Sequence, residues 1–294
     1  MTADRTPAAA TGLSLYDRTA DTAAASVIRA YSTSFSLAAR LLGPRPRPHV
    51  RNVYALVRIA DEIVDGPAHE AGLDGEAQCA VLDALERETT DAVTRGFSTN
   101  LVVHAFARTA RECGIGTDLT APFFTSMRTD ISTRTHDDDS HDAYVYGSAE
   151  VVGLMCLAVF QNAGSAAPTP APDALVAGAR ALGRAFQDVN FLRDLDHDAQ
   201  TLGRDYLAVD DRERTRIDVL DRIDGDLAVA RAVIPRLPAD SRRAVTAAHD
   251  LFAALSARLR TAPAGAGRVR VPRRQKLAVA AHAWLGGTPR GARA

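Results

Sequence analysis

Apolar residues recur at the three-to-four-residue period of an α-helix through almost all of the 294 positions, and no long alternating run marks a strand. The pattern predicts a first helix over Asp17–Tyr31, then Ser32–Ser36 and a helical Leu37–Leu42. The proline-rich break from Gly43 to Pro48 reads as a turn. The next helix closes at Gly66-Pro67, and others follow over Glu76–Thr94, Asn100–Cys113 and Leu119–Ile131. Polar residues 132–140 read as a loop before a helix over His141–Ala163. A loop with three prolines then leads to Asp173, a suitable N-cap for a long helix. Helices over Arg212–Ile234, Ser241–Leu259 and Pro272–Leu285 complete the series, with Pro272 at a first turn. No composition shift divides the chain. The expectation is one all-α domain over residues 16–290, preceded by a disordered tail at 1–15.

Charged residues interrupt this pattern most tellingly in Tyr54–Asp65. Tyr54, Arg58, Asp61 and Asp65 stand at i, i+4, i+7 and i+11, one helical face, beside an apolar stripe of Val53, Leu56, Val57, Ala60 and Val64. A single such column is also the pattern of a solvated salt-bridge face. A second copy changes its weight: Gln187, Asn190, Asp194 and Asp198 climb another helix at i, i+3, i+7 and i+11, with Arg193 alongside. Magnesium takes oxygen ligands, keeps several waters, and binds through one or two carboxylates plus substrate phosphates. Two aspartate columns supply that, with Asp61, Asp65, Asp194 and Asp198 as ligands and Asn190 or Gln187 orienting bound water or the leaving group. Manganese is an acceptable substitute. Arg58 and Arg193 suit a bidentate grip on phosphate oxygens.

Composition narrows the rest. A hydrophobic fraction of 46%, a charged fraction of 24% and a net charge of -1 are those of an ordinary globular protein with no global pull toward nucleic acid. Cys79, Cys113 and Cys156 are scattered, against a disulfide framework or structural zinc site and for a reducing compartment. Residues 1–13 lack the apolar core of a signal peptide, and the longest apolar run, Val151–Phe160, falls short of the roughly 20 residues a spanning helix needs. The expectation is a soluble, cytoplasmic protein, with contact to a membrane surface or pathway enzymes left open and oligomeric state unspecified.

Other stretches carry two readings each. Ser32, Ser34 and Ser36 beside Phe35 can hydrogen-bond a diphosphate or cap a helix. Tyr144–Leu157, with Ala149 and Gly153 among long apolar residues, permits close helix approach. It also permits a hydrocarbon channel lined by Ala149, Gly153 and Leu157, with Tyr144 and Tyr146 offering π faces to a cation. His136–Asp142 looks like a metal box but reads better as a solvated loop. Arg268, Arg270, Arg273, Arg274 and Lys276 form a basic patch without the aromatics of a nucleic-acid surface, which leaves a solvated face, or one or two arginines, Arg270 among them, reaching a diphosphate. There is no Gly-rich phosphate loop, dinucleotide fingerprint or nucleophile elbow.

Residues 31–42, the Arg58–Asp65 column, Tyr144–Gly153, and Gln187–Asp198 followed by Gly203-Arg204-Asp205-Tyr206-Leu207 resemble, in order, the squalene/phytoene synthase family, with the bacterial phytoene synthases nearest. The resemblance implies an isoprenoid synthase helical bundle around a central cavity. It also implies head-to-head joining of two geranylgeranyl diphosphates to phytoene through a cyclopropylcarbinyl diphosphate, with magnesium and without NADPH. Tyr54, Arg58, Ser34, Phe35, Tyr144, Gln187, Asn190 and Arg193 match family active-site positions. The chain departs from the family at Tyr31, where some members have His, at Asp196-His197 for a frequent Gly-Glu, at Glu150 for a frequent Gly, at Phe252 for a common Tyr, and at Ala208 for a usual Pro. Two alternatives stand beside this expectation: a squalene or dehydrosqualene synthase using farnesyl diphosphate, and a catalytically silent helical assembly protein of the same fold.

Overall fold

The computed structural model describes residues 12–132, 138–197, 212–263 and 269–290, with 33–35, 138–140, 195–197 and 212–215 as backbone only. These form helices α1 (Gly12–Tyr31), α2 (Thr33–Arg40), α3 (Pro46–Val64), α4 (Pro67–Glu70), α5 (Gly75–Arg95), α6 (Leu101–Cys113), α7 (Thr117–Ser132), α8 (Asp138–Val145), α9 (Val151–Asn162), α10 (Asp173–His197), α11 (Arg212–Val233), α12 (Ala239–Thr261) and α13 (Arg273–Trp284). No strand occurs among the described residues.

Helix boundaries depart from the sequence pattern where local chemistry tolerates more than the pattern implies. Helix α1 begins at Gly12, ahead of the expected Asp17. Pro46 and Pro48 lie inside the first turn of α3, where backbone N–H groups have no intrahelical acceptor and proline costs little. Asp173 is the first helical residue of α10, and Leu175 and Val176 donate to the Pro172 carbonyl before it. Pro272 caps α13. Asp74 and Asn100 act as side-chain N-caps, each accepting from the first turn of its helix.

Two packed centres organise the molecule. The larger joins α3, α5, α6, α7 and α9 around Phe106, Phe123, Phe124 and Leu56, all 1% exposed or less. The smaller joins α10, α11 and α12 around Val189, Leu220, Ile223 and Leu255. Arg45 ties the start of α3 to both neighbours: its guanidinium pairs with Asp240 of α12 at 2.8 Å and donates to the carbonyls of Phe160 and Ala163 at the end of α9. Cys113 and Cys156 are free thiols that burial pushes up to about 12, so neither is a nucleophile at neutral pH.

The single predicted helix over His141–Ala163 is three pieces, because a π turn over Tyr146–Glu150 separates α8 from α9. Counted through, the run His141–Asn162 is 22 residues and apolar enough, by length and composition, to cross a membrane, which corrects the shorter estimate from the apolar run alone. It is packed as a core element, between α7 and α10. There Gly183 and Gly153 bring two backbones together: a Cβ at Gly153 would stand 2.6 Å from the Ala179 carbonyl oxygen, and one at Gly183 2.6 Å from that of Ala149.

Candidate functional site

The first acidic column sits on the exposed-to-buried boundary of α3. Its apolar stripe of Val53, Leu56, Ala60 and Val64 is buried, which turns Tyr54, Arg58 and Asp61 to a half-buried position and leaves Asp65 exposed at the helix end. The Arg58 guanidinium donates to Glu62 at 3.0 Å, lies 3.8 Å from Asp61, and hydrogen-bonds Tyr54. It also lies over the ring of Tyr31, 5.2 Å from its centroid, a cation–π contact between α1 and α3. Burial works against the charge of Arg58, but Asp61, Tyr54 and Glu62 overcome it and raise its pKa.

Asp61 carries the opposite strain. Burial, reinforced by Asp65, Asp130 and Glu62 and opposed by Arg58, pushes its carboxyl up to about 8. Asp130, on α7, is buried at 6% exposure and accepts a hydrogen bond from the Tyr144 hydroxyl at 3.0 Å. Sequence reasoning missed it. One acid in Arg128–Ser132 has no repeat and no motif partner in sequence, and only the packing of α7 beside α3 brings it to Asp61. Tyr144 is itself buried on α8, its ring 6.1 Å from that of Phe191 on α10. Asp130 and Tyr144 therefore lie between the first column and the helix of the second.

On α10, Val189, Phe191 and Leu192 are buried while Gln187, Asn190, Arg193 and Asp194 are half-buried. This is the predicted polar stripe on a helix otherwise packed into the core. Arg193 pairs with its neighbour Asp194 at 2.5 Å. Asp198 lies outside the described residues, as do Arg204, Tyr206 and Ala208.

The remaining candidates divide. Ser32 precedes α2 and its N–H donates to Ile28; Ser34 and Phe35 lie in α2, their side chains outside the described set. Gly153 and Ala149 are at the close contact with α10, and Leu157 is buried at 3% in the larger core. Tyr146 has one face covered by Arg180, 5.3 Å from the ring centroid. Glu150, which stands for a frequent family Gly, is sealed: at 3% exposure it accepts from Arg180 at 2.6 Å and Arg184 at 2.7 Å, and Arg184 also pairs with Asp226 at 2.7 Å. Arg270 is exposed, with no contact to either column among the described residues. His136 and Asp137 lie outside the described residues, while His141 is buried against Phe191 with Nε2 3.6 Å from Asp188.

Among the described residues no three His, Cys, Asp or Glu side chains converge to hold a metal by themselves. The donor chemistry still fits magnesium, which requires only one or two carboxylates when phosphates complete its shell. Asp65, Asp130 and Glu62 all act on Asp61, a crowding of acids that a divalent cation would relieve.

The comparisons agree with this architecture. The family model described as Squalene/phytoene synthase matches residues 28–275. The chain is 31% identical over 233 residues to the chloroplastic phytoene synthase 3 of Zea mays, covering 76% of this chain and 52% of that one. It is 31% identical over 211 residues to the phytoene synthase of Mycobacterium tuberculosis, covering 69% and 64%. The chain thus spans about half to two thirds of the length of these curated relatives. Plant and bacterial relatives match equally, so the likeness is to the family and singles out no bacterial branch. A crystal structure of a dehydrosqualene synthase in complex with ligand superposes with a TM-score of 0.75 at 22% identity, covering 92% of this chain and 96% of that one, a likeness of fold.

Proposed function

The chain belongs to the squalene/phytoene synthase family, and from that premise we propose that it joins two molecules of geranylgeranyl diphosphate head to head to form phytoene. The observation that carries the reading is geometric: the Arg58 guanidinium lies 3.8 Å from Asp61, and Asp65, Asp130 and Glu62 crowd the same carboxyl. Clustered acids with a guanidinium beside them suit a divalent cation bound together with a polyanionic ligand.

Asp61, Asp65, Asn190, Asp194 and Asp198 would hold magnesium, which when bound supplies positive charge to a departing diphosphate. Arg58 and Arg193 bind diphosphate oxygens and stabilise the negative charge that develops there. Gln187 and Tyr54 orient the same group. The first carbon–oxygen bond breaks with its electron pair leaving on inorganic diphosphate. The resulting allylic cation is attacked by the double bond of the second substrate, and loss of a proton closes a cyclopropylcarbinyl diphosphate. A second ionisation, rearrangement and proton loss yield phytoene without a reductant. Buried Tyr144, Val145 and Phe191 keep water from the cations on the α8–α10 side.

Purified protein incubated with magnesium and each prenyl diphosphate, without NADPH, tests the reading. A forty-carbon hydrocarbon from the longer substrate alone is expected. A thirty-carbon product from farnesyl diphosphate moves the assignment to dehydrosqualene synthesis, and absence of diphosphate release from either substrate leaves a helical protein without this activity. Asp61→Asn and Asp194→Asn are expected to abolish turnover with helicity intact.

A further inference from the structure

Charge is unevenly spread along this chain. Residues 251–294 hold nine of the 35 lysines and arginines and no acid, which leaves 26 basic against 36 acidic residues over the first 250. A protein of net charge -1 is therefore strongly acidic over most of its length and strongly basic over one segment. Helix α13 lies in that segment. It buries Val279 and Ala283 against Ala247 of α12, with Leu41 packed alongside. Its opposite side is apolar too. Leu277 is 55% exposed, Trp284 61% and the adjoining Leu285 77%. With the exposed Ala281, they stand at i, i+4, i+7 and i+8, one continuous face. Arg273 and Arg274, both exposed, close the N-terminal end of that face, and exposed Arg270 precedes them. A surface helix ordinarily turns its polar side to water. This one turns out apolar side chains bordered by cations.

We propose that this face of α13 docks the protein on an anionic lipid bilayer. The helix lies in the plane of the interface, with Leu277, Trp284 and Leu285 at the acyl boundary and Arg270, Arg273 and Arg274 among the headgroups. A helix of 12 residues shows on one side an area on the order of 200 Å², far below the about 800 Å² per partner of a stable dimer. Nucleic acid would satisfy the arginines and leave the leucines and tryptophan in water. A bilayer takes both, and tryptophan is the side chain most at home at its interface. The face is one helix from the proposed site. Leu37 and Ala38 of α2 line a small cleft with Lys276 and Val279 of α13, and α2 follows Tyr31, whose ring lies under Arg58. The more apolar run His141–Asn162 is unsuited to this contact, because it packs between α7 and α10 and carries the ion-paired Glu150.

Trp284 is the only tryptophan, so its fluorescence reports on this face alone. The full chain is titrated with phosphatidylcholine vesicles containing phosphatidylglycerol, and in parallel with pure phosphatidylcholine vesicles and duplex DNA. Expected are a blue shift and quenching by brominated acyl chains with the anionic vesicles, weakened by salt. Leu277→Asp with Leu285→Asp should abolish the shift, and Arg273→Gln or Arg274→Gln should weaken binding about fivefold each. These positions are exposed, so circular dichroism should be unchanged. Vesicle binding without a Trp284 response, an equal response to neutral vesicles, a response to DNA alone, or a lipid-free shift that grows with protein concentration each overturns the proposal. No prenyl diphosphate is present, so the outcome is separate from that of the reaction.

Discussion

The Tyr144 hydroxyl donates to the Oδ2 of Asp130 at 3.0 Å, and both side chains are 6% exposed. This bond connects α7, whose Asp130 acts on Asp61, to α8, whose Tyr144 ring meets Phe191 of α10. Removing the donor strands part of a buried carboxylate, which costs about 1–3 kcal/mol. Tyr144→Phe is therefore expected to lower stability by that amount in urea unfolding and to reduce turnover. Asp130→Asn keeps an acceptor for the hydroxyl and removes a negative charge, so it should be the milder change in stability. A Tyr144→Phe protein as stable as the parent would show that the bond holds nothing together.

The acid cluster makes stability depend on pH in an unusual direction. Asp61 is pushed from an ordinary carboxyl value to about 8 in the folded protein. Between about pH 4 and pH 8 the folded state thus holds a proton that the unfolded chain has lost, and stability falls as pH rises through that window. The slope is at most about 1.4 kcal/mol per pH unit for one proton. Metal-free protein should melt at a higher temperature at pH 6 than at pH 8, and Asp61→Asn should flatten the difference. Magnesium with inorganic diphosphate should restore stability at pH 8 if the cluster receives them. A melting profile indifferent to both pH and the Asp61 substitution would remove the basis for a crowded acid cluster around Asp61.

Glu150, whose side chain is 4% exposed, pairs with Arg184 of α10 in a network extended to Asp226 and Arg180. Hydrogen bonds to Asp226 raise the pKa of Arg184, against the effect of burial and with support from Glu150. Breaking a buried pair from one side leaves an uncompensated charge, at about 3–5 kcal/mol. Arg184→Ala should approach that loss, whereas Arg180→Ala should cost far less because Arg180 is 47% exposed and Arg184 still serves Glu150. Paired denaturation curves would test the order. The reverse ranking would mean that the acid is held from the Arg180 side.

Much of this architecture was legible in the sequence because the helices are long, periodic and punctuated by cap residues such as Asp74 and Asn100. The α3 column was legible for the same reason: spacing alone fixes which side chains share a face, and Arg58 and Asp61 stand as the spacing required. What was not legible depended on contacts between distant segments. Asp130 gains its importance only beside Asp61, and Glu150 gains its partners from α10. The π turn at Tyr146–Glu150 was also hidden, since an added residue in a helical turn leaves the hydrophobic period nearly unchanged over so short a stretch. The contact of Tyr31 with the Arg58 guanidinium likewise joins two helices and leaves no mark on the local pattern of either.

The small residues of Ala149–Gly153 admit two roles that a single substitution separates. If Gly153 faced an open channel, an added methyl group would project into empty space, leave stability unchanged, and shorten the product that the channel accommodates. In the structure that methyl would stand 2.6 Å from the Ala179 carbonyl oxygen, a backbone atom that cannot rotate away. Helix α10 would have to move outward, and overpacking of this kind costs about 1–3 kcal/mol. Because Gly183 meets the Ala149 carbonyl in the same contact, Gly153→Ala and Gly183→Ala should each destabilise, and their combination should fall short of additive once the helices have separated. Thermal melts of the two single variants and the double variant decide the matter. A Gly153→Ala protein with parental stability and altered product length would instead place this residue on the wall of the cavity.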